Sequence, residues 1–60
     1  MIPRKLYAHL TDLESEYIFH PDKKNFDAVT QYQDAIGWPF KANQEQINDW
    51  NNMNHEPIKE

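Results

Sequence analysis

The chain has no cysteine, which excludes a disulfide framework and any thiolate metal site. Its one glycine, Gly37, is too few for a glycine-rich phosphate loop. No apolar run approaches the roughly 20 residues of a membrane span. The opening Met-Ile-Pro-Arg-Lys, followed by Leu6, Tyr7 and then His9, Thr11 and Asp12, gives no continuous apolar core for a signal peptide. Basic residues are scarce: six Lys and Arg stand against ten Asp and Glu, a net charge of −4 that lacks the basic footprint of direct nucleic-acid binding. At sixty residues one domain is the ceiling, and such a chain buries only about 60% of its unfolded surface. These absences predict a small cytoplasmic domain without cofactor, membrane contact or direct nucleic-acid contact. A partner subunit or binding target is a natural way to supplement so small a core.

What the chain does have is aromatic mass: two Trp, three Tyr and three Phe, unlike a disordered tail. Pro3 suits a first helical turn, and Leu6, Leu10, Leu13 and Tyr17 then recur at helical spacing in one narrow stripe. Lys5, His9, Asp12 and Glu16 form a polar stripe beside it. This predicts a helix over 3–19, ended by the proline at 21, and a stripe narrow enough for a helix–helix seam. A competing reading makes Glu16-Tyr-Ile-Phe-His20 a short strand.

Asp22 can cap a second helix over 23–36, with Phe26, Ala28, Val29, Tyr32, Ala35 and Ile36 on its apolar arc. Gly37 stands where a left-handed residue ends a helix, Trp38 follows in a position to fold back on Tyr32, and Pro39 prevents continuation. Asn43 with Gln46 reads as a capping box opening a third helix over 44–54, with Ile47, Trp50 and Met53 on its inner side. Asn48, Asn51, Asn52 and Asn54 are poor helix formers, so this helix depends on packing, and 55–60 should fray. The fold class is therefore all-α, a single domain over 1–60 of three short helices, the first two an antiparallel hairpin.

The sharpest local motif is His20-Pro21-Asp22, followed by Lys23 and Lys24. It resembles the loop of J-domain co-chaperones, in which this tripeptide joins two antiparallel helices. The resemblance implies a contact with an Hsp70-type chaperone through those three residues. The preceding segment, Thr-Asp-Leu-Glu-Ser-Glu, is acidic where J-domains carry a basic helix. The same tripeptide also reads as a helix stop, a proline and an N-cap.

Catalytic chemistry finds no footing. Glu14 and Glu16 are two apart and face different sides of a helix; Asp12 and Glu16 share a side, but an exposed one. No Ser-His-Asp elbow is present, and so short a chain struggles to enclose a pocket of a few hundred Å³. His9 and Asp12 lie one turn apart and could share an ion with His20 or His55, but no recognised ligand spacing is present, and no metal is expected. The reading is a non-enzymatic protein-binding module: a small regulator, adaptor or inhibitor of the kind found in phages and mobile elements. Its expected partner is another protein, met through Phe19, His20, Asp22, Trp38, Phe40 and Trp50 with Asp12 and Glu16 steering. Two alternatives stay open beside it. The acidic face could mimic DNA against a nucleic-acid-binding protein, or the Leu6–Tyr17 seam could pair two copies as a structural homodimer.

Overall fold

The computed structural model describes residues 2–53, which form three helices and no strand: α1 (Arg4–Phe19), α2 (Lys23–Ile36) and α3 (Gln44–Asn51). Each helix starts and stops for a local reason. Pro3 is the N-cap of α1 rather than its first helical residue; its carbonyl accepts from Leu6 and Tyr7 at 3.0 and 3.1 Å. The segment from Glu16 to Phe19 is helical, and the His20 N–H still donates to the Glu16 carbonyl at 2.8 Å. The strand alternative is thereby removed.

At the start of α2 the Asp22 carboxylate accepts from the Asn25 N–H at 2.9 Å, satisfying one of the orphan donors of the first turn. The helix ends at Gly37, whose φ of 74° is left-handed. The Gly37 N–H reaches Asp34 and the Trp38 N–H reaches Gln33 at 2.9 Å, the paired bonds of a Schellman stop. In α3 the capping box is complete in both directions: Gln46 N–H to Asn43 Oδ1 at 2.7 Å, and Asn43 N–H to Gln46 Oε1 at 3.1 Å.

The third helix is shorter than its sequence predicts, ending at Asn51 instead of residue 54. The Asn52 N–H is shared between the carbonyls of Asn48 and Asp49, and the Met53 N–H drops back to Trp50. The last turn thus tightens towards three-residue spacing among asparagines that hold a helix poorly. Residue 54 and the fraying predicted for 55–60 lie outside the described residues.

Ring contacts fix the direction of packing. Tyr17 meets Phe26, His9 meets Tyr32 and Tyr7 meets Trp38, at centroid distances of 5.7, 4.7 and 5.6 Å. Descending α1 corresponds to ascending α2, so the two helices are an antiparallel hairpin. The core takes one buried side chain from each helix, Leu10, Val29 and Trp50. Leu13, Tyr17, Tyr32, Ile36, Trp38 and Met53 pack around them. Fully burying side chains of this kind contributes about 1.5–3 kcal/mol each.

Four positions depart from the sequence pattern. Leu6, at the head of the predicted stripe, is 37% exposed, while Ile2 on the arm before α1 is buried. Glu14 is buried although its neighbours in sequence, Leu13 and Ser15, are only partly so. Trp38 stacks on Tyr7 and tilts against Trp50 at 5.0 Å rather than folding back on Tyr32, whose ring is edge-on to His9. The stop at Gly37 carries the chain across to the first turns of α1, and Trp38 goes with it.

Candidate protein-binding surface

The connection between α1 and α2 is built around one side chain that sequence reasoning missed. The Asn25 amide donates to the His20 carbonyl at 2.9 Å and approaches that of Glu16 at 3.4 Å, while its backbone N–H is held by Asp22. The Asp22 N–H donates to His20 at 2.7 Å. His20, Pro21 and Asp22 thus act as a C-cap, a chain reversal and an N-cap, with His20 and Asp22 exposed. Phe19 sits at this tip 79% exposed, and Phe26, read from the sequence as core-facing, is 52% exposed in the first turn of α2. Near the end of the hairpin Phe26 is covered on one side only, by Tyr17, and Leu6 near the other end of α1 is likewise only partly covered.

The turn after α2 carries a third exposed aromatic. The Phe40 N–H donates to Gly37 at 2.9 Å and the Ala42 N–H donates to Pro39 at 2.9 Å, so the turn is closed twice. On it the Phe40 side chain is 91% exposed. Trp38 is half-buried between Tyr7 and Trp50, and its indole N–H, though buried, has no hydrogen-bond acceptor among the described residues. Trp50 leaves the surface set: it is 3% exposed and belongs to the core. Asp12 and Glu16 are both exposed one turn apart on α1, between the two ends that carry the phenylalanines. The candidates therefore do not form one patch. Asp12, Glu16 and then Phe19 and His20 follow at one-turn spacing along α1 towards the tip with Asp22, whereas Phe40 lies on the turn after α2 at the other end of the hairpin.

That far end also holds a cleft of about 210 Å³, lined by Ile2, Arg4, Tyr7, Asn43, Glu45, Gln46 and Asp49. Its walls are tied together. The Tyr7 hydroxyl donates to the Gln46 carbonyl at 3.1 Å, and the Gln46 amide reaches the Ile2 carbonyl at 3.4 Å. Burial pushes the Tyr7 phenol above its ordinary pKa; Thr11 opposes that shift, and the carboxylates of Asp49 and Glu45 add smaller pushes upward. None of these residues was singled out from the sequence as a site. Only the capping pair Asn43 and Gln46 carried a local signal, and that signal was for a helix start.

No family model, curated protein or solved structure matches the chain. The likeness of His20-Pro21-Asp22 to a J-domain loop rests on those residues alone. Among the described residues no cluster of three or more His, Asp and Glu side chains is placed to hold a metal ion, and His55 lies outside them. Among the described residues no helix is long and apolar enough to cross a membrane.

Proposed function

We propose that the protein is a non-enzymatic binding module of the cytoplasm, a small regulator or inhibitor that occludes a surface of a larger protein. The observation that carries this reading is Phe40: a large apolar side chain 91% exposed on a turn closed by two backbone hydrogen bonds. A side chain that contributes little to its own core, carried on a turn whose backbone is already fixed, spares the cost of ordering that loop when a partner pocket takes it. Aromatic anchors of that kind dominate the energy of protein interfaces. Asp12 and Glu16 supply charge that steers approach and register more than affinity.

The test is affinity capture from a lysate with the unmutated chain, beside Phe40→Ala, Phe19→Ala and an Asp12→Lys/Glu16→Lys double variant, each checked for folding. The expected result is one stoichiometric partner lost with Phe40→Ala and retained at moderate salt. A partner lost only on charge reversal, and displaced by DNA, would instead establish mimicry of nucleic acid. No retained protein at low salt, together with a concentration-dependent dimer on sedimentation, would replace the module with a homodimer.

A further inference from the structure

We propose that the cleft between the N-terminal arm and α3 is a receptor for one basic side chain, a lysine or arginine, presented by the protein partner. The proposal rests on the binding-module reading for its biology, but the chemistry of the cleft stands by itself. Its volume, about 210 Å³, falls below the roughly 300–1,000 Å³ of sites for drug-sized molecules and leaves room for one long side chain. Ile2 and the Tyr7 ring form an apolar and aromatic wall, suited to the methylenes of a lysine or arginine stem and to a cation over the ring face.

The polar lining decides the sign of the occupant. Asn43 Oδ1 and Gln46 Oε1 are spent on the capping box, and the Gln46 amide NH2 reaches the Ile2 carbonyl. The charged groups left to meet a guest are the carboxylates of Glu45 and Asp49, one helical turn apart on α3, and the guanidinium of Arg4. Two negative charges against one positive favour a cation. The N-terminus of α3 would by itself attract an anion, but Glu45 already occupies its first turn, and the N–H groups of Asn43 and Gln46 are engaged. That both carboxylates act on the Tyr7 phenol places their field inside the cleft. Arg4, exposed at the rim, is the built-in competitor that a partner's side chain would displace.

The experiment is an amide-shift NMR titration of the full chain with N-acetyl-arginine amide, and with N-acetyl-norleucine amide as the uncharged probe. The expected result is saturable shifts centred on Tyr7, Gln46 and Asp49 with the arginine probe, and binding about tenfold weaker or absent with norleucine. A Glu45→Gln/Asp49→Asn double variant should abolish saturation, Arg4→Ala should strengthen binding by a few-fold, and Asp34→Asn on the outer face of α2 should change nothing. Equal response to both probes would overturn the proposal. So would arginine shifts spread evenly over Asp34 and the other exposed acids, or binding unaltered in a folded Glu45→Gln/Asp49→Asn variant. Because neither probe contains a partner protein, failure here leaves capture through Phe40 standing. Loss of capture with an intact arginine response would sink the module and spare the cleft.

Discussion

Tyr7 shows how much one side chain carries in so small a molecule. Its ring stacks on Trp38, its hydroxyl donates to the Gln46 carbonyl, and its flank forms the cleft wall. Tyr7→Phe removes one hydrogen bond between α1 and α3, so chemical denaturation should report a loss of about 1 kcal/mol. The phenol's pKa is raised in the folded state from 10.0, so the folded chain holds that proton where the unfolded chain has released it. Stability is therefore fully present below pH 10 and falls as pH climbs towards the folded-state value. In a pH series of melting temperatures, Tyr7→Phe should flatten part of that alkaline decline; an unchanged slope would mean that other groups cause it. The aromatics also show where the sequence stops being readable. Trp50 lies among asparagines and an aspartate while Phe40 follows Trp38 and Pro39, yet the one in the polar stretch is 3% and the other 91% exposed. Trp50 sits on a helix whose period points it inward, whereas Phe40 sits in a turn, where no period exists to consult. Trp50→Ala should cost about 3–5 kcal/mol, while Phe40→Ala should stay within about 0.5 kcal/mol of the unmutated chain. Thermal unfolding of the pair separates core from surface directly.

The helices were legible where their boundaries are chemical and local. Asp22 and Gly37 bracket α2 at the predicted positions because an N-cap carboxylate and a left-handed glycine act within a few residues of themselves. The same holds for Asn43 and Gln46 at the start of α3. The end of α3 carries no such signal, only weak helix formers, and there the prediction overran the structure. Gly37 offers a clean test. A Cβ added there would meet nothing within 4 Å, so Gly37→Ala measures the left-handed backbone alone. That conformation costs an L-residue about 1–2 kcal/mol, and equilibrium denaturation should find that loss without any change in the far-ultraviolet circular dichroism of the native state. A neutral substitution would show that the stop at Gly37 relaxes easily. Asn43→Ala breaks the capping box and should cost about 0.5–2 kcal/mol by the same measurement.

At the scale of the whole molecule, stability is thinly supplied. Domains hold roughly 0.05–0.15 kcal/mol per residue, or about 3–9 kcal/mol for a chain of this length. Ile2 and Leu10 are its largest fully buried side chains. Ile2→Ala should remove about 2–5 kcal/mol, a large part of the total, and its melting curve should lose its native baseline near physiological temperature. Ligand-linked rescue would then be visible, because anything that binds only the folded chain stabilises it by mass action. Neither Ile2 nor the tie it makes to Gln46 was legible, since 44 residues separate the two and no periodic pattern spans them. The buried Glu14 was hidden for a related reason: a helical wheel reports which side a residue faces, but not which distant residues cover that side.

The long tie between Ile2 and Gln46 also sets an order of events during synthesis. Ile2 leaves the ribosome before Gln46 and cannot make this tie until α3 has followed it out. Until then the α1–α2 hairpin travels with Leu10 and Val29 uncovered by Trp50. The nascent chain therefore passes through an interval in which its only core is half a core, and its arm is open to proteases and holdase chaperones. Closure is a late, nearly single event, so a ribosome stalled before Trp50 would carry a hairpin that its own sequence cannot protect.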